Sequence, residues 1–514
     1  MKLNYKRTIL VGFAFFLIQV FWQAYDATIP VILTNKFGMS QTASGIIMAL
    51  DNILAVFMLP IFGALSDKCR SPKGKRTPFI TIGTTIAAVL LVALCFVDHA
   101  QLRQVSDISA IDDPAALSVI YDQQADATLQ TPEGEQFVLK DVFDKEAFTS
   151  ITSEITLASG KTTPNPDYTN YVVPARQACA AIATAQQPVP MYLFIGLLLA
   201  LLIAMSIFRS PAVALMPDVT PKPLRSKANA VINLMGTAGG ILVLVLGMIF
   251  ATSAVRNAMM TYYVYYGIVA ALMLGALAIF IFTVREPKWA SEMQEVSASL
   301  EEAPEEIGEK RRLTKSELTS MLLILASVAL WYIGYNAVTS KYSLYASSVL
   351  GMDYNTTMLI AQGAAIVSYL PAGMVASKLG RKKTILAGVV MLTAAFAIAA
   401  FMRAGSPVLL MNVLFAQAGI GWATINVNSF PMVVEMCAGS DIGKFTGYYY
   451  TASMAAQVIT PIFSGYLMDQ MGMVILFPYA AVFAGLAFVT MFFVRHGDTK
   501  VIAKKGLEAL DIED

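Results

Sequence analysis

A short basic loop lies between two long apolar runs near the start of the chain. The loop, residues 63–79, holds five cations: Lys68, Arg70, Lys73, Lys75 and Arg76. Each flanking run is long enough to cross a bilayer, and short cationic loops stay on the cytoplasmic side of a membrane. The sequence therefore predicts a cytoplasmic hairpin between two membrane helices, and this hairpin sets the orientation of every later span.

Composition extends this conclusion to the whole chain. The 514 residues are 56% hydrophobic and 14% charged, which is far more apolar surface than a soluble core requires. A net charge of +1 gives no indication of a nucleic-acid partner. The four cysteines are scattered and indicate no disulfide framework. The two histidines lie at or beyond span ends, so no metal site is predicted.

Apolar runs predict an all-α polytopic membrane protein with twelve spans. We place them at residues 8–33, 41–65, 79–97, 190–216, 228–252, 261–284, 320–347, 356–377, 384–402, 408–433, 445–468 and 473–494. The domains are then an N-terminal half (1–284), a cytoplasmic linker (285–319), a C-terminal half (320–494) and a cytoplasmic tail (495–514). Both termini are expected in the cytoplasm of a cell whose plasma membrane holds the chain.

The two halves repeat each other. Leu59-Pro60 in the second span and Leu370-Pro371 in the eighth each precede a small-residue run and a basic loop. A second echo pairs Asp218 with Lys227 after the fourth span, and Glu435 with Lys444 after the tenth, at the same nine-residue spacing. Internal repeats of this kind are typical of transporters built from two similar halves.

A polar insertion separates the third and fourth spans. Residues 98–189 are rich in Asp and Glu, and helix parity puts them outside the cell. Two alternatives remain open from the sequence, a small ordered cap and an unstructured excursion, because residues 135–143 carry apolar side chains but loops of this length are often disordered.

The basic loop also carries a family resemblance. The pattern G-x-x-S-D-K-C-x-S-x-x-G-K-R-x-P-F runs from Gly63 to Phe79. It resembles the loop between helices 2 and 3 in the sucrose-transporter branch of the major facilitator superfamily, which is close to the glycoside/cation symporters. A second similarity covers Arg209 to Asp218. The resemblance implies a major facilitator fold with two six-helix halves, and a disaccharide such as sucrose or maltose as substrate; it does not predict the insertion.

The basic loop and the repeated acid–lysine pairs after the fourth and tenth spans predict a cytoplasmic gate rather than a catalytic site. A glycine lets two helices approach or permits a turn, and a carboxylate there is held by a helix N-terminus or an arginine. The gate residues expected are Gly63, Asp67, Gly74, Arg76, Asp218, Lys227, Glu435 and Lys444.

Three ionisable residues lie inside apolar runs, where a charge costs about 2.5–3.5 kcal/mol on insertion scales and is tolerated facing a cavity or a partner. We assign Asp26 and Asp51 to proton coupling and Arg209 to substrate or carboxylate contact. The structural alternatives are a cap near Pro30 or a place at the outer headgroups for Asp26, and a fixed ion pair for Asp51. Arg209 could instead reach the inner surface or permanently neutralise an aspartate.

The resemblance is uneven at these positions. Glycoside/cation symporters tend to show two helix-2 acids where this chain has Ala55 and Leu59, and Asp51 lies one turn further out on the same face. Plant-type sucrose transporters show an arginine where this chain has Val213. The first departure argues against a carried-over sodium site.

Sugar sites combine planar hydrogen-bonding side chains with aromatic faces. The spans offer such residues in both halves, although any single Asn or Gln equally suits contacts between helices. The substrate-binding candidates, with Arg209, are Trp22, Gln23, Tyr25, Asn52, Asn233, Tyr335, Asn336, Gln362, Gln417, Trp422, Asn426 and Gln457.

The sequence thus predicts a monomeric transporter, not an enzyme, that imports a sugar by proton symport and alternating access. Its partners are the sugar and the lipid bilayer. No cofactor is expected; the proton is the coupling ion and sodium the minor option. One alternative is an exporter of an amphipathic small molecule, whose cavity would be apolar and aromatic. The other is a non-transporting membrane sensor that uses the insertion as its receptor domain.

Overall fold

Long helices dominate the computed structural model, which describes residues 3–156, 162–221, 225–300, 314–434, 436 and 442–497. The long helices are α1 (Tyr5–Asn35), α2 (Gln41–Asp67), α3 (Thr77–Gln104), α9 (Val189–Val219), α10 (Arg225–Ile249), α11 (Tyr263–Thr283), α13 (Lys315–Tyr345), α14 (Tyr354–Leu379), α15 (Arg381–Ala399), α16 (Val408–Val434), α17 (Ile442–Met471) and α18 (Leu476–Phe492). Ten helices in the described residues are long and apolar enough to cross a membrane. The chain is therefore an integral, multi-pass membrane protein.

Two hydrophobic cores organise these helices. One core joins side chains of α1, α2, α3, α9, α10 and α11, including Phe21, Leu201 and Phe280. The other joins α13 to α18, including Trp331 and Phe477. Each half of the sequence therefore packs around its own core, as the internal repeat indicated.

Two predicted boundaries need correction. The third span was expected to end near residue 97, but α3 continues to Gln104, so the first residues assigned to the insertion are helical. The linker was placed at residues 285–319 as the joint between the halves. Its first part forms α12 (Glu286–Leu300), and Lys315 already belongs to α13. The sequence did not indicate α12 because most of its residues are polar. One of its apolar side chains, Trp289, is buried against the protein.

Residues 105–188, which we call the cap segment, form short elements between α3 and α9. They are α4 (Ser106–Ser109), α5 (Pro114–Gln124), β1 (Thr128–Gln130), β2 (Gln136–Val138), α6 (Leu139–Val142), α7 (Lys145–Thr149), β3 (Glu154–Thr156), β4 (Thr162–Pro164) and α8 (Val173–Gln186). Strands β1 and β2 pair antiparallel, as do β3 and β4.

A small core of its own orders the cap segment. Ile120, Leu139 and Phe148 are fully buried in it. The buried Arg176 donates to the Tyr168 hydroxyl at 2.6 Å and to the Ile108 carbonyl at 3.0 Å, so its charge is not left without acceptors. Of the two alternatives that the sequence left open, the described residues adopt the ordered cap.

The bundle has two distinct ends, which we name for what they carry. The basic end holds residues 68–76 and the start of α1, and the cap end holds the cap segment and the end of α1. α1 and α3 run from the basic end to the cap end, and α2 and α9 run from the cap end to the basic end.

A buried ion pair ties α1 to α3 at the cap end. Lys36, just after α1, contacts both carboxylate oxygens of Asp98 at 2.6 and 2.7 Å, and neither side chain is more than 2% exposed. The ammonium also donates to the Met260 carbonyl at 2.8 Å and lies 4.6 Å from the centre of the Tyr262 ring. Asp98 thus lies inside α3 as a paired residue, and each buried charge requires the other.

We expect Asp98→Asn to destabilise the protein by about 3–5 kcal/mol, because it leaves the Lys36 charge buried without its partner. Denaturation of the purified protein in detergent measures the change. The double variant Lys36→Met with Asp98→Leu removes both charges and should recover most of the loss. A single variant as stable as the parent would contradict this role.

Candidate functional site

One face of α1 remains accessible in an otherwise buried helix. The accessible or half-buried positions are Ile9, Phe13, Phe16, Gln19, Trp22 and Asp26. Their spacing of three or four residues places them on one side of the helix. This face begins near the basic end and stops at Asp26, because residues 27–35 are all buried.

The part of this face from Gln19 to Asp26, nearest the cap end, borders a charged cavity of about 230 Å³ between the halves. The cavity is lined by α1, α2 and α9 of the N-terminal half and by α13 and α17 of the C-terminal half. Its lining residues are Gln19, Trp22, Asp26, Met48, Asp51, Asn52, Arg209, Asn336, Thr339, Ser340, Gln457 and Pro461.

Two carboxylates and one guanidinium share this cavity. The Asn52 amide donates to Asp51 at 2.8 Å, and the Arg209 guanidinium lies 5.4 Å from the centre of the Trp22 ring. With both carboxyl groups ionised the three side chains sum to one negative charge. One bound proton would neutralise the group, so the cavity can hold a proton without a net buried charge.

Polar side chains form much of this wall. The Asn52 and Gln457 amides line the cavity together with the Thr339 and Ser340 hydroxyls. Amides and hydroxyls can both donate and accept hydrogen bonds. Beside two carboxylates and a guanidinium, they suit a ligand that presents several hydroxyl groups.

An aromatic cavity of about 200 Å³ adjoins the charged one. The Tyr335 and Trp422 rings stack in parallel in its wall, with centroids 3.6 Å apart and planes 4° apart. Most of the remaining lining is apolar, and Gln362 and Thr237 contribute polar groups. The lining residues are Gln19, Thr237, Gly240, Tyr335, Val338, Thr339, Met358, Ala361, Gln362, Ala365, Ile366, Tyr369, Phe396, Phe415, Ala418, Gly419 and Trp422.

Gln19 and Thr339 line both cavities, so the two spaces meet. Each alone is smaller than the range of about 300–1,000 Å³ that is common for small-molecule sites, whereas both together fall within it. The pair therefore forms one site with a charged side and an aromatic side.

Most of the predicted site residues meet in these cavities. Those that line one of them are Trp22, Asp26, Asp51, Asn52, Arg209, Tyr335, Asn336, Gln362, Trp422 and Gln457. Gln23 lies just behind the wall, where it accepts from Gln362 at 2.7 Å and donates to the Tyr354 hydroxyl at 3.1 Å. It links the halves and holds Gln362 in place.

The remaining candidates line neither cavity in the described structure. Tyr25 is buried and contacts the Trp22 ring edge to face, with centroids 5.4 Å apart. The Gln417 amide donates to the Met391 carbonyl at 2.9 Å and so joins two helices. Asn233 and Asn426 are half-buried elsewhere on α10 and α16.

Sequence reasoning missed Gln19 and Thr339, the two residues that join the cavities. A signal was present, because Gln19 lies one turn before Gln23 and two turns before Asp26, on the same side of α1. Thr339 likewise lies one turn after Tyr335 on α13. Polar residues one turn apart in an apolar helix mark a cavity face better than single ones.

Both halves close the site at the cap end. On α13 the half-buried positions stop at Ser340, and residues 341–346 are buried, just as residues 27–35 are on α1. Ser343 donates to the backbone carbonyl of Asp26 at 3.2 Å across the two halves. The site is therefore sealed toward the cap end, and its accessible face on α1 continues toward the basic end.

At the basic end, several predicted gate residues meet around Arg76. Its guanidinium contacts Asp67 at 2.5 Å and Asp218 at 2.7 Å. Gly63 lies against Ser210, whose hydroxyl would be 2.9 Å from an added Cβ. The contacts join α2, α3 and α9 within the N-terminal half.

Glu286, at the start of α12, completes this cluster and was not predicted. It accepts from the backbone N–H of Arg76 and of Thr77, both at 2.8 Å, at the first turn of α3. Gly74 is required here, since its φ is +110° and an added Cβ would lie 2.3 Å from the Glu286 carboxyl carbon. Glu435 and the side chains of Lys227 and Lys444 lie outside the described residues.

Comparisons with protein families agree with this architecture. A model described as Major Facilitator Superfamily matches residues 175–369 and 356–511. A second, described as MFS/sugar transport protein, matches residues 10–105. Both descriptions name transporters, not enzymes.

Curated relatives match over a short region. The "MFS-type transporter ppzB" of Metarhizium rileyi (strain RCEF 4871) is 28% identical over 120 residues, which is 23% of this chain and 24% of that protein. The protein of the same name from Metarhizium majus (strain ARSEF 297) is 29% identical over 120 residues, 23% of this chain and 26% of that one. The match spans about a quarter of each relative.

Solved structures share the fold over nearly the full length. A D-xylose-proton symporter is 16% identical, with a TM-score of 0.56 over 96% of this chain and 99% of that one. The inward open xylose transporter XylE from E. coli is 16% identical, with a TM-score of 0.55 over 99% of both chains. The nucleoside transporter NupG is 13% identical, with a TM-score of 0.55 over 94% and 98%. The chain belongs to the Major Facilitator Superfamily.

Proposed function

We propose that this transporter moves a sugar, specifically a disaccharide, into the cell together with protons by alternating access. The observation that carries the proposal is the site between the halves, in which Asp26, Asp51 and Arg209 share a charged cavity. Amide and hydroxyl side chains on its wall suit the hydroxyl groups of a sugar, and the Tyr335–Trp422 stack suits the apolar face of a sugar ring.

A twelve-span topology follows from the same proposal. Six of the ten apolar candidates lie in the N-terminal half and four in the C-terminal half, where the long helices α14 and α17 would bring the number of spans to six. Because the basic loop would stay in the cytoplasm, the basic end would face inward and the cap segment outward. The sealed cap end and the accessible basic end then correspond to an inward-open state.

Protons suit this cavity better than sodium. Arg209 lies in the same cavity as both carboxylates. Its fixed positive charge would repel a sodium ion bound beside it. A proton instead neutralises a carboxylate covalently and needs no further oxygen ligands. Sodium would need several.

The aromatic cavity supports a second candidate substrate, an amphipathic small molecule. Phe396, Phe415, Met358 and Trp422 provide the apolar contacts that such a compound needs. The charged cavity would then bind its polar end. This candidate differs from a sugar in requiring an apolar group, which makes the two experimentally separable.

Counterflow in proteoliposomes tests the substrate class. Vesicles are loaded in turn with a disaccharide, a monosaccharide, a nucleoside and an amphipathic glycoside, and the entry of the labelled compound is followed without an ion gradient. We expect exchange with disaccharides, blocked by excess unlabelled disaccharide. Exchange with the nucleoside or amphipathic compound alone would reject the sugar assignment.

A further inference from the structure

The first turn of α2 is capped by a carboxylate from the opposite half of the protein. Asp469, on α17, accepts from the backbone N–H groups of Gln41 and Thr42, each at 2.7 Å, and from the Thr42 hydroxyl at 2.5 Å. The first N–H groups of a helix have no acceptor within the helix, and a negative charge there also suits the helix dipole. Ser40 already provides the local cap through Ala43, so Asp469 adds a second cap across the halves.

The surrounding contacts also bring the two halves close together at this crossing. Lys341, fully buried on α13, donates to the Gln41 carbonyl at 2.8 Å. An added Cβ would lie 2.0 Å from the Pro461 carbonyl oxygen at Gly45, and 2.3 Å from the Gln41 carbonyl oxygen at Gly465. Backbones this close leave no space for water. The crossing of α2 and α17 therefore separates the site from the cap end.

Water can reach Asp469 from the cap side of this crossing. A separate cavity of about 240 Å³ lies between the cap segment and both halves, and Asp469 lines it together with Ser40, Gln130 and Gln177. When α2 moves away, water from this cavity can replace the lost N–H donors. The contact can therefore form and break repeatedly without leaving a carboxylate buried and unpaired.

We propose that Asp469 is the gating residue at the cap end, which holds the site closed there by capping α2 and releases it in each transport cycle. Asp469 and Lys341 stay with the C-terminal half, whereas the α2 terminus leaves with the other half. Their bonds to α2 exist only in the state closed at the cap end, so they bias the two-state equilibrium toward it. The inference rests on the alternating access proposed above and does not depend on the identity of the sugar.

A matched control exists in the same structure. Asp144 caps α7 in the same way, by accepting from the Ala147 N–H group at 2.7 Å. That contact lies within the cap segment. Asp144→Asn therefore removes the same kind of cap as Asp469→Asn without touching the contact between the halves.

The test measures how often the cap end opens. A cysteine is introduced by Ser343→Cys, a buried position beside Asp26 on the sealed side. A thiol reagent that cannot cross the membrane is then applied from the cap side. Burial raises the pKa of the native Cys179 thiol in the cap segment to about 11, so that thiol reacts slowly. The protein without the reporter cysteine gives the remaining background.

We expect Asp469→Asn to raise the labelling rate roughly tenfold, within the range of typical coupling between sites. Asp469→Glu should restore most of the closure, and Asp144→Asn should leave the rate unchanged. Thr42→Val, which keeps the carboxylate but removes one hydrogen bond, serves as the milder variant if Asp469→Asn does not fold, and should give a smaller rise. An unchanged rate in a folded Asp469→Asn or Thr42→Val protein, or an equal rise in Asp144→Asn, would overturn the proposal. Labelling without sugar separates this outcome from a failure of the sugar assignment.

Discussion

Uphill sugar accumulation is expected to disappear in Asp26→Asn, while sugar exchange without a gradient persists. Asp26 lines the charged cavity on the accessible face of α1. An amide resembles the protonated carboxyl in shape and charge, so the variant can still pass through the neutral state that transport requires. Proteoliposomes with an acidic exterior measure accumulation, and counterflow measures exchange.

Asp51→Asn is the parallel variant, and Asp107→Asn, exposed on the cap segment, is the control. If Asp51 carries the proton instead, the loss of accumulation moves to that variant, whereas the control accumulates sugar normally. Full accumulation in both cavity variants would reject carboxylate coupling at this site.

Trp422→Ala is expected to weaken equilibrium sugar binding about 30-fold, or about 2 kcal/mol, a typical loss for a buried aromatic contact. Trp422 stacks on Tyr335 and packs edge to face on Tyr332, with centroids 5.2 Å apart. Its removal takes away the flat surface and lets Tyr335 turn. Binding of labelled sugar to the purified protein in detergent measures the change.

Trp331→Phe is the matched control for this experiment. Trp331 is fully buried in the core of the C-terminal half and does not line the two described cavities. Its replacement should lower thermal stability and leave affinity unchanged. Equal affinity in Trp422→Ala and the parent would remove the aromatic side from the site.

Sequence predicted the long helices well because an apolar run of sufficient length has few alternatives to a membrane helix. The span expected at residues 408–433 corresponds to Val408–Val434, and the one expected at 41–65 to Gln41–Asp67. The prediction from sequence failed where polar residues continue a helix. Asp98 marked the end of a span in sequence, but it lies inside α3, paired with Lys36.

The site was harder to predict because membrane helices are apolar on every side. In a soluble helix the apolar stripe identifies the buried face. On α16 apolar residues occur on every side, so the pattern does not show whether Trp422 or Gln417 faces the cavity. The first lines the aromatic cavity and the second bonds to a neighbouring backbone. The contacts of Asp469 and Glu286 with helix termini depend on tertiary structure. No local sequence pattern predicts these contacts.

The most direct test of the central claim is the proton flux that accompanies sugar entry into proteoliposomes, measured with an internal pH indicator in sodium-free buffer at zero membrane potential. We predict that adding the transported sugar outside acidifies the interior, and that Asp26→Asn or Asp51→Asn abolishes this signal. Sugar entry at the normal rate with no change in internal pH would contradict proton-coupled transport through this cavity.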